Sequence, residues 1–184
     1  MRTFVAIELA KELTSKIDQV QTVLRKTGAD VSWVKPQNVH ITLKFLGEIK
    51  EEKIDEVSQA VEKSVKGLKS FKVNLLGLGG FPNLKRPRVI WIGIEKGKEI
   101  LAELYPKVEE EFFKIGFAKE NRAFAPHLTI GRVKSPKNIE NLASEINKIL
   151  FQTEDFEVKE VVVIKSTLLP TGSVYTPLKI IPLL

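Results

Sequence analysis

Apolar residues recur at two periods along this chain, and each switch between the periods marks the start of a new element. Residues 2–9 are a short, mostly apolar run suited to a buried strand, and Leu13, Ile17, Val20 and Leu24 follow at helical spacing. A strand is predicted over residues 37–46, and Ile54, Val57, Val61 and Val65 then mark a second amphipathic helix that Gly67 can terminate. Residues 70–77 read as a further strand. The second half repeats the series. It predicts a strand over 88–95, a helix carrying Leu101, Leu104, Val108, Phe112 and Ile115, and a strand over 126–133. A helix with Ile139, Leu142, Ile146 and Ile149 follows, and strands over 156–166 and 174–181 close the chain. Pro106 is expected to break or kink the third helix, because it lacks an amide proton and its ring crowds the preceding turn.

Sliding the chain against itself by 87 positions places Phe4-Val5-Ala6-Ile7-Glu8 on Trp91-Ile92-Gly93-Ile94-Glu95. The same shift sets Ile41 on Leu128, Leu43 on Ile130 and Leu46 on Val133, the pattern of an internal duplication. The expected fold class is α+β, with two pseudo-symmetric lobes. Each would be a small, mostly antiparallel sheet with helices on its outer face, and an active-site cleft would lie between them. Residues 1–184 then form a single bilobal domain, and the glycines and prolines of residues 78–88 look like the connector between lobes.

With 43% apolar residues the chain can bury a core, yet no apolar stretch approaches the roughly 20 residues that span a bilayer. Its first residues turn charged too soon for a signal peptide, so a cytoplasmic monomer with no membrane contact is expected. The absence of cysteine excludes disulfides and thiolate metal sites, and two histidines alone cannot fill a zinc shell. No metal or cofactor is expected. Lysine and arginine outnumber acidic residues 29 to 23, a net charge of +6 that fits either a polyanionic partner or a well-solvated surface.

The two histidines occupy matched settings, Val39-His40-Ile41-Thr42-Leu43 and Pro126-His127-Leu128-Thr129-Ile130. On strands, His40 and Thr42 share one face and leave Ile41 and Leu43 to the core, and His127 and Thr129 separate likewise from Leu128 and Ile130. Alone, either histidine reads as a hydrogen-bonded packing residue. As a pair with repeated hydroxyl neighbours they suit substitution at phosphorus, where one ring takes a proton from the nucleophile while the other gives one to the leaving oxygen. Thr42 and Thr129 can donate hydrogen bonds to the non-bridging oxygens as charge builds. Alternation also puts Lys44 on the His40 face, as a substrate-binding cation or a solvated one. It puts Arg132 on the core side, unless a bulge at Gly131 turns the guanidinium toward the groove to bind phosphate. Among Trp33, Phe81, Trp91 and Tyr175, considered as stacking partners for bases, Trp91 reads as core and Tyr175 is open.

Two His-x-Thr-x motifs in a chain of this size resemble the 2H phosphoesterase superfamily, in its RNA 2',3'-cyclic phosphodiesterase or 2'-5' RNA ligase branch. The resemblance includes the opening Arg2-Thr3-Phe4-Val5-Ala6-Ile7, the run His40 to Gly47, Arg86-Pro87-Arg88-Val89-Ile90-Trp91, and Pro126 to Arg132. It implies metal-independent opening of an RNA terminal 2',3'-cyclic phosphate to a 2'-phosphate, with His40 as proton donor and His127 as proton acceptor. It also implies RNA as partner, tRNA fragments among the candidates, and 2'-5' joining of tRNA halves as a further activity. Competing readings are a cyclic phosphodiesterase for a small nucleotide such as ADP-ribose cyclic phosphate, and a non-catalytic RNA-binding protein with a basic cleft.

Overall fold

The periodic segments fold into ten strands and four helices in a computed structural model that describes residues 1–184. The first half holds β1 (Arg2–Glu8), α1 (Leu13–Arg25), β2 (Val31–Trp33), β3 (His40–Glu48), α2 (Ile54–Ser64), β4 (Phe71–Val73) and β5 (Leu75–Phe81). The second holds β6 (Val89–Ile94), α3 (Lys98–Lys114), β7 (His127–Val133), α4 (Ile139–Lys148), β8 (Phe156–Val158), β9 (Glu160–Leu169) and β10 (Gly172–Pro182). One four-stranded sheet has the order β10-β9-β1-β3, a second the order β2-β7-β6-β5, and β4 with β8 makes a small ribbon. Every pairing is antiparallel, as the α+β reading requires.

The helices form where the apolar stripes predict them. α1 buries Leu13, Ile17, Val20 and Leu24, and α4 buries Ile139, Leu142 and Ile146. α2 and α3 pack against the first sheet, α4 against the second and against α1. A continuous core of 36 buried residues draws on both sheets and all four helices. No helix is long and apolar enough to cross a membrane.

Two expectations are corrected. α3 runs unbroken through Pro106, because Leu101, Leu104, Val108 and Phe112 on both sides of the proline are pinned in the core and outweigh one missing hydrogen bond. The glycine- and proline-rich stretch does not join lobes: residues 75–81 are strand β5, and 82–88 are the loop from β5 to its neighbour β6 in the same sheet. The sheets instead trade strands. β2, early in the chain, pairs with β7, while β9 and β10, last in the chain, extend the sheet begun by β1.

Candidate active site

Both histidines open a strand, and in both the ring is tied back to the backbone two residues earlier. His40 Nδ1 lies 2.7 Å from the Asn38 carbonyl oxygen, and His127 Nδ1 lies 2.5 Å from that of Ala125. A carbonyl only accepts, so each Nδ1 carries the proton and each Nε2 is left as the nitrogen that can give or take one. Both rings are half-buried, as are Thr42 and Thr129, whereas Ile41, Leu43, Leu128 and Ile130 are in the core.

The strict alternation expected of these strands fails at Leu43 and Leu46 in β3 and at Ile130 in β7, and Leu43 and Ile130 are 87 residues apart. In β3, Ala6 faces Thr42 and Val5 faces Lys44, so Leu43 is an extra residue in the ladder. In β7, Trp91 faces Thr129 and Ile90 faces Gly131, so Ile130 is extra. Each of these two bulges moves the side chains that follow it to the opposite face, in β3 as far as the second shift at Leu46. Arg132 therefore joins His127 and Thr129, the outcome anticipated for a bulge at Gly131. Gly131 is also where β2 comes closest, since a Cβ there would lie 2.7 Å from Val31 and 3.0 Å from Trp33. Trp33 is partly buried and packs against the core.

The same device overturns the placement of Lys44. The bulge at Leu43 turns its side chain away from His40 and into the core, where the ammonium donates to Glu109 Oε1 at 2.7 Å and to the Ala118 carbonyl at 2.9 Å. The Lys44 side chain is 2% exposed and that of Glu109 8%. Lys44 is a structural cation, and the exposed Phe45 takes the position that Arg132 takes in the other sheet.

Contacts between the sheets bring the two polar faces toward one another. β3 and β7 approach each other, and the Asn38 side-chain amide donates to the Ser173 carbonyl at 2.9 Å, fastening the turn before β3 to the β9-β10 hairpin. The charges of Arg2, from β1, and of Arg132, from the other sheet, both bear on the Tyr175 hydroxyl, which burial pushes above its ordinary pKa. Tyr175 stands edge-on to His40 with ring centroids 5.5 Å apart, and Phe4 stacks on the same imidazole at 4.7 Å. In the second sheet Phe81 meets His127 edge-on at 4.8 Å and Trp91 at 5.3 Å. Trp91 is half-buried with its indole packed directly over Gly79 of β5, and it stands outside the continuous core in which alternation placed it. Arg2 and Phe4 escaped the sequence reading. The signal for Phe4 was present, because the 87-residue offset pairs it with Trp91.

Burial lowers both imidazole pKa values below the ordinary 6.5, against the opposing pull of the carbonyl each ring donates to. His127 feels a further downward push from the Arg132 guanidinium. One protonated and one neutral ring then coexist most abundantly on the acid side of pH 6.5. We expect kcat/KM to peak there, falling toward alkaline pH as the acid loses its proton and toward stronger acid as the base gains one. A rate profile from about pH 4 to about pH 9 checks this, and an alkaline maximum would contradict it. Stability carries the same signature. Between the lowered pKa values and 6.5 the unfolded chain binds more protons than the folded one, so the urea midpoint should rise as pH rises across that interval and drop as the medium is acidified.

Comparison with known proteins matches this arrangement to one family. The model of that family, described as LigT like Phosphoesterase, matches twice, over residues 7–91 and 92–175, with one His-x-Thr motif in each match. The chain belongs to the LigT-like phosphoesterases. Within this 2H phosphoesterase family it is 35% identical over 181 residues to a Methanothermobacter thermautotrophicus protein named RNA 2',3'-cyclic phosphodiesterase, covering 98% of this chain and 97% of the relative. A Thermotoga maritima protein of the same name is 37% identical over 176 residues, covering 95% and 91%. Among solved structures, a Thermus thermophilus protein superposes with a TM-score of 0.81 at 26% identity, covering 100% of this chain and 98% of that one. Escherichia coli LigT complexed with 3'-AMP superposes with a TM-score of 0.77 at 26% identity, covering 99% and 97%. The phosphoesterase fold thus holds across the full chain.

Proposed function

We propose that this LigT-like phosphoesterase opens the 2',3'-cyclic phosphate at the end of an RNA chain to a 2'-phosphate. The observation that carries the reading is the matched tethering of the two imidazoles, each with Nδ1 bonded to a backbone carbonyl and Nε2 left for proton transfer beside a threonine. The names of the relatives agree with it. Water attacks phosphorus and gives its proton to His127 Nε2, while the bond from phosphorus to the 3'-oxygen breaks and His40 Nε2 delivers a proton to that oxygen. The products are a 2'-phosphate and a free 3'-hydroxyl. The Arg132 charge supports His127 as the base, since it disfavours a second positive charge on that ring. Thr42, Thr129 and Arg132 hold the non-bridging oxygens, and the donors strengthen their bonds as charge accumulates. No step is assigned to a metal. A 5'-hydroxyl entering in place of water would yield a 2'-5' linkage, which is the joining reaction proposed for tRNA halves.

The test is an oligoribonucleotide with a 2',3'-cyclic phosphate end, incubated with the protein in excess EDTA and followed by mass. The expected product is heavier by one water and carries a 2'-phosphate. A chelator-sensitive rate would remove the two-histidine mechanism, and binding without turnover would favour a non-catalytic RNA-binding protein.

A further inference from the structure

A separate concavity of about 850 Å³ opens where β6 begins and β7 ends. One wall is the loop of residues 82–88, the other the stretch that runs from Val133 into the first turn of α4. Lys85, Arg86 and Arg88 line the first wall and Lys134 the second, together with Asn138 and Glu140. All four cations are exposed, and none lies in a salt bridge with a carboxylate. Four positive charges against the single carboxylate of Glu140 make a field that attracts a polyanion.

Both walls are anchored in the cleft. The 82–88 loop leaves from Phe81, whose ring packs edge-on against His127, and returns at Val89, which pairs with Arg132. The Arg88 amide donates to the Phe81 carbonyl at 2.7 Å, and the Val133 amide donates to the Arg88 carbonyl at 2.9 Å, locking one wall to the other. Within the loop, Asn83 Oδ1 accepts the amides of Lys85 and Arg86 at 3.0 Å each, which sets the backbone from which those two cations project. The cationic groove is therefore built on the same frame as the catalytic histidine. Along β7 the groove begins at Val133, on the far side of Arg132 from His127, so it continues outward from the end of the site that Arg132 occupies.

A cyclic phosphate terminates the 3' end of its strand, so all remaining nucleotides of such a substrate lie on the 5' side. We propose that this groove binds the phosphodiester backbone of the RNA upstream of the cyclic-phosphate end, and so selects oligomers over cyclic mononucleotides. The inference rests on the reading of the cleft as an RNA-end phosphodiesterase.

The test compares a 2',3'-cyclic mononucleotide with a short single-stranded oligoribonucleotide ending in 2',3'-cyclic phosphate. Both are measured with the native protein and with the triple variant Lys85→Ala/Arg86→Ala/Lys134→Ala. For the oligomer, KM should rise by about tenfold or more at unchanged kcat. Its dependence on salt should flatten by about 2 in log–log slope, three phosphate contacts at roughly 0.7 each. Turnover of the mononucleotide should not change, which also reports an intact fold. Equal losses on both substrates, or no loss on the oligomer, would overturn the proposal. If the native protein opens neither substrate, the reading of the cleft fails. The groove is then judged by fluorescence anisotropy with a labelled oligoribonucleotide bearing a linear 3'-phosphate, and undiminished affinity in the triple variant overturns it.

Discussion

Replacing either cleft histidine by alanine is expected to lower kcat/KM on a 2',3'-cyclic phosphate by roughly 10²- to 10⁴-fold, the usual contribution of one positioned acid or base. The loss should fall on kcat, because the proposed mechanism assigns the imidazoles to protons in flight and leaves Thr42, Thr129 and Arg132 to retain the phosphate. Both protons move in one displacement, so the double variant His40→Ala/His127→Ala should lose little beyond the worse single variant. Losses that multiply would assign the two rings to separate steps. His40 stacks on Phe4 at 4.7 Å, so alanine there also opens a gap in the cleft wall. His40→Gln keeps most of that contact without a titrating nitrogen, and it should be as inactive as His40→Ala while melting closer to the native temperature.

The second large effect belongs to Lys44 and bears on stability. Its ammonium and the Glu109 carboxylate are 2.7 Å apart and almost wholly enclosed between β3 and α3. Lys44→Met leaves a buried carboxylate without its counter-charge, an arrangement that costs about 3–5 kcal/mol. In a chain of this size that lowers Tm by roughly 6–20 °C, at about 2–4 °C per kcal/mol. Glu109 also accepts the Glu120 amide at 2.7 Å through its other oxygen. The compensating change is therefore Glu109→Gln, which removes the charge and keeps an acceptor. Lys44→Met/Glu109→Gln should recover most of the lost Tm in a thermal melt, whereas a double variant as unstable as Lys44→Met would show that the lost charge was not the cause. Because Lys44 points away from the cleft, its loss should act on stability and leave the pH profile of catalysis in place.

Lys44 and Arg132 also mark the boundary between what the chain discloses locally and what it does not. The stripes of α1, α2 and α4 and the strands bearing the histidines were legible because burial along a helix or strand repeats with that element's own period. The His-Thr pairs were legible for the same reason, since residues two apart on a strand share a face. A bulge leaves no such mark. The extra residues Leu43 and Ile130 are apolar, like the core positions beside them, and only the partner strand reveals that the ladder has skipped one. Alternation therefore missed Lys44, and it could place Arg132 only on condition of a bulge. Sheet membership was hidden as well. β2 and β9 join their sheets through partners about a hundred residues or more away in sequence, and nothing in their own patterns names the partner, whereas β10 follows β9 as its hairpin neighbour.

By itself, then, the sequence determined the four helices, most of the strands, the paired histidines and the family they resemble, because those follow from short-range periodicity and from residues side by side in the chain. Only the tertiary structure decided that Arg132 enters the cleft while Lys44 is buried, that Phe4, Tyr175 and Phe81 frame the imidazoles, and that a cationic groove continues the site. Each of these depends on which strand lies against which, a matter of non-local packing that one-dimensional patterns do not encode.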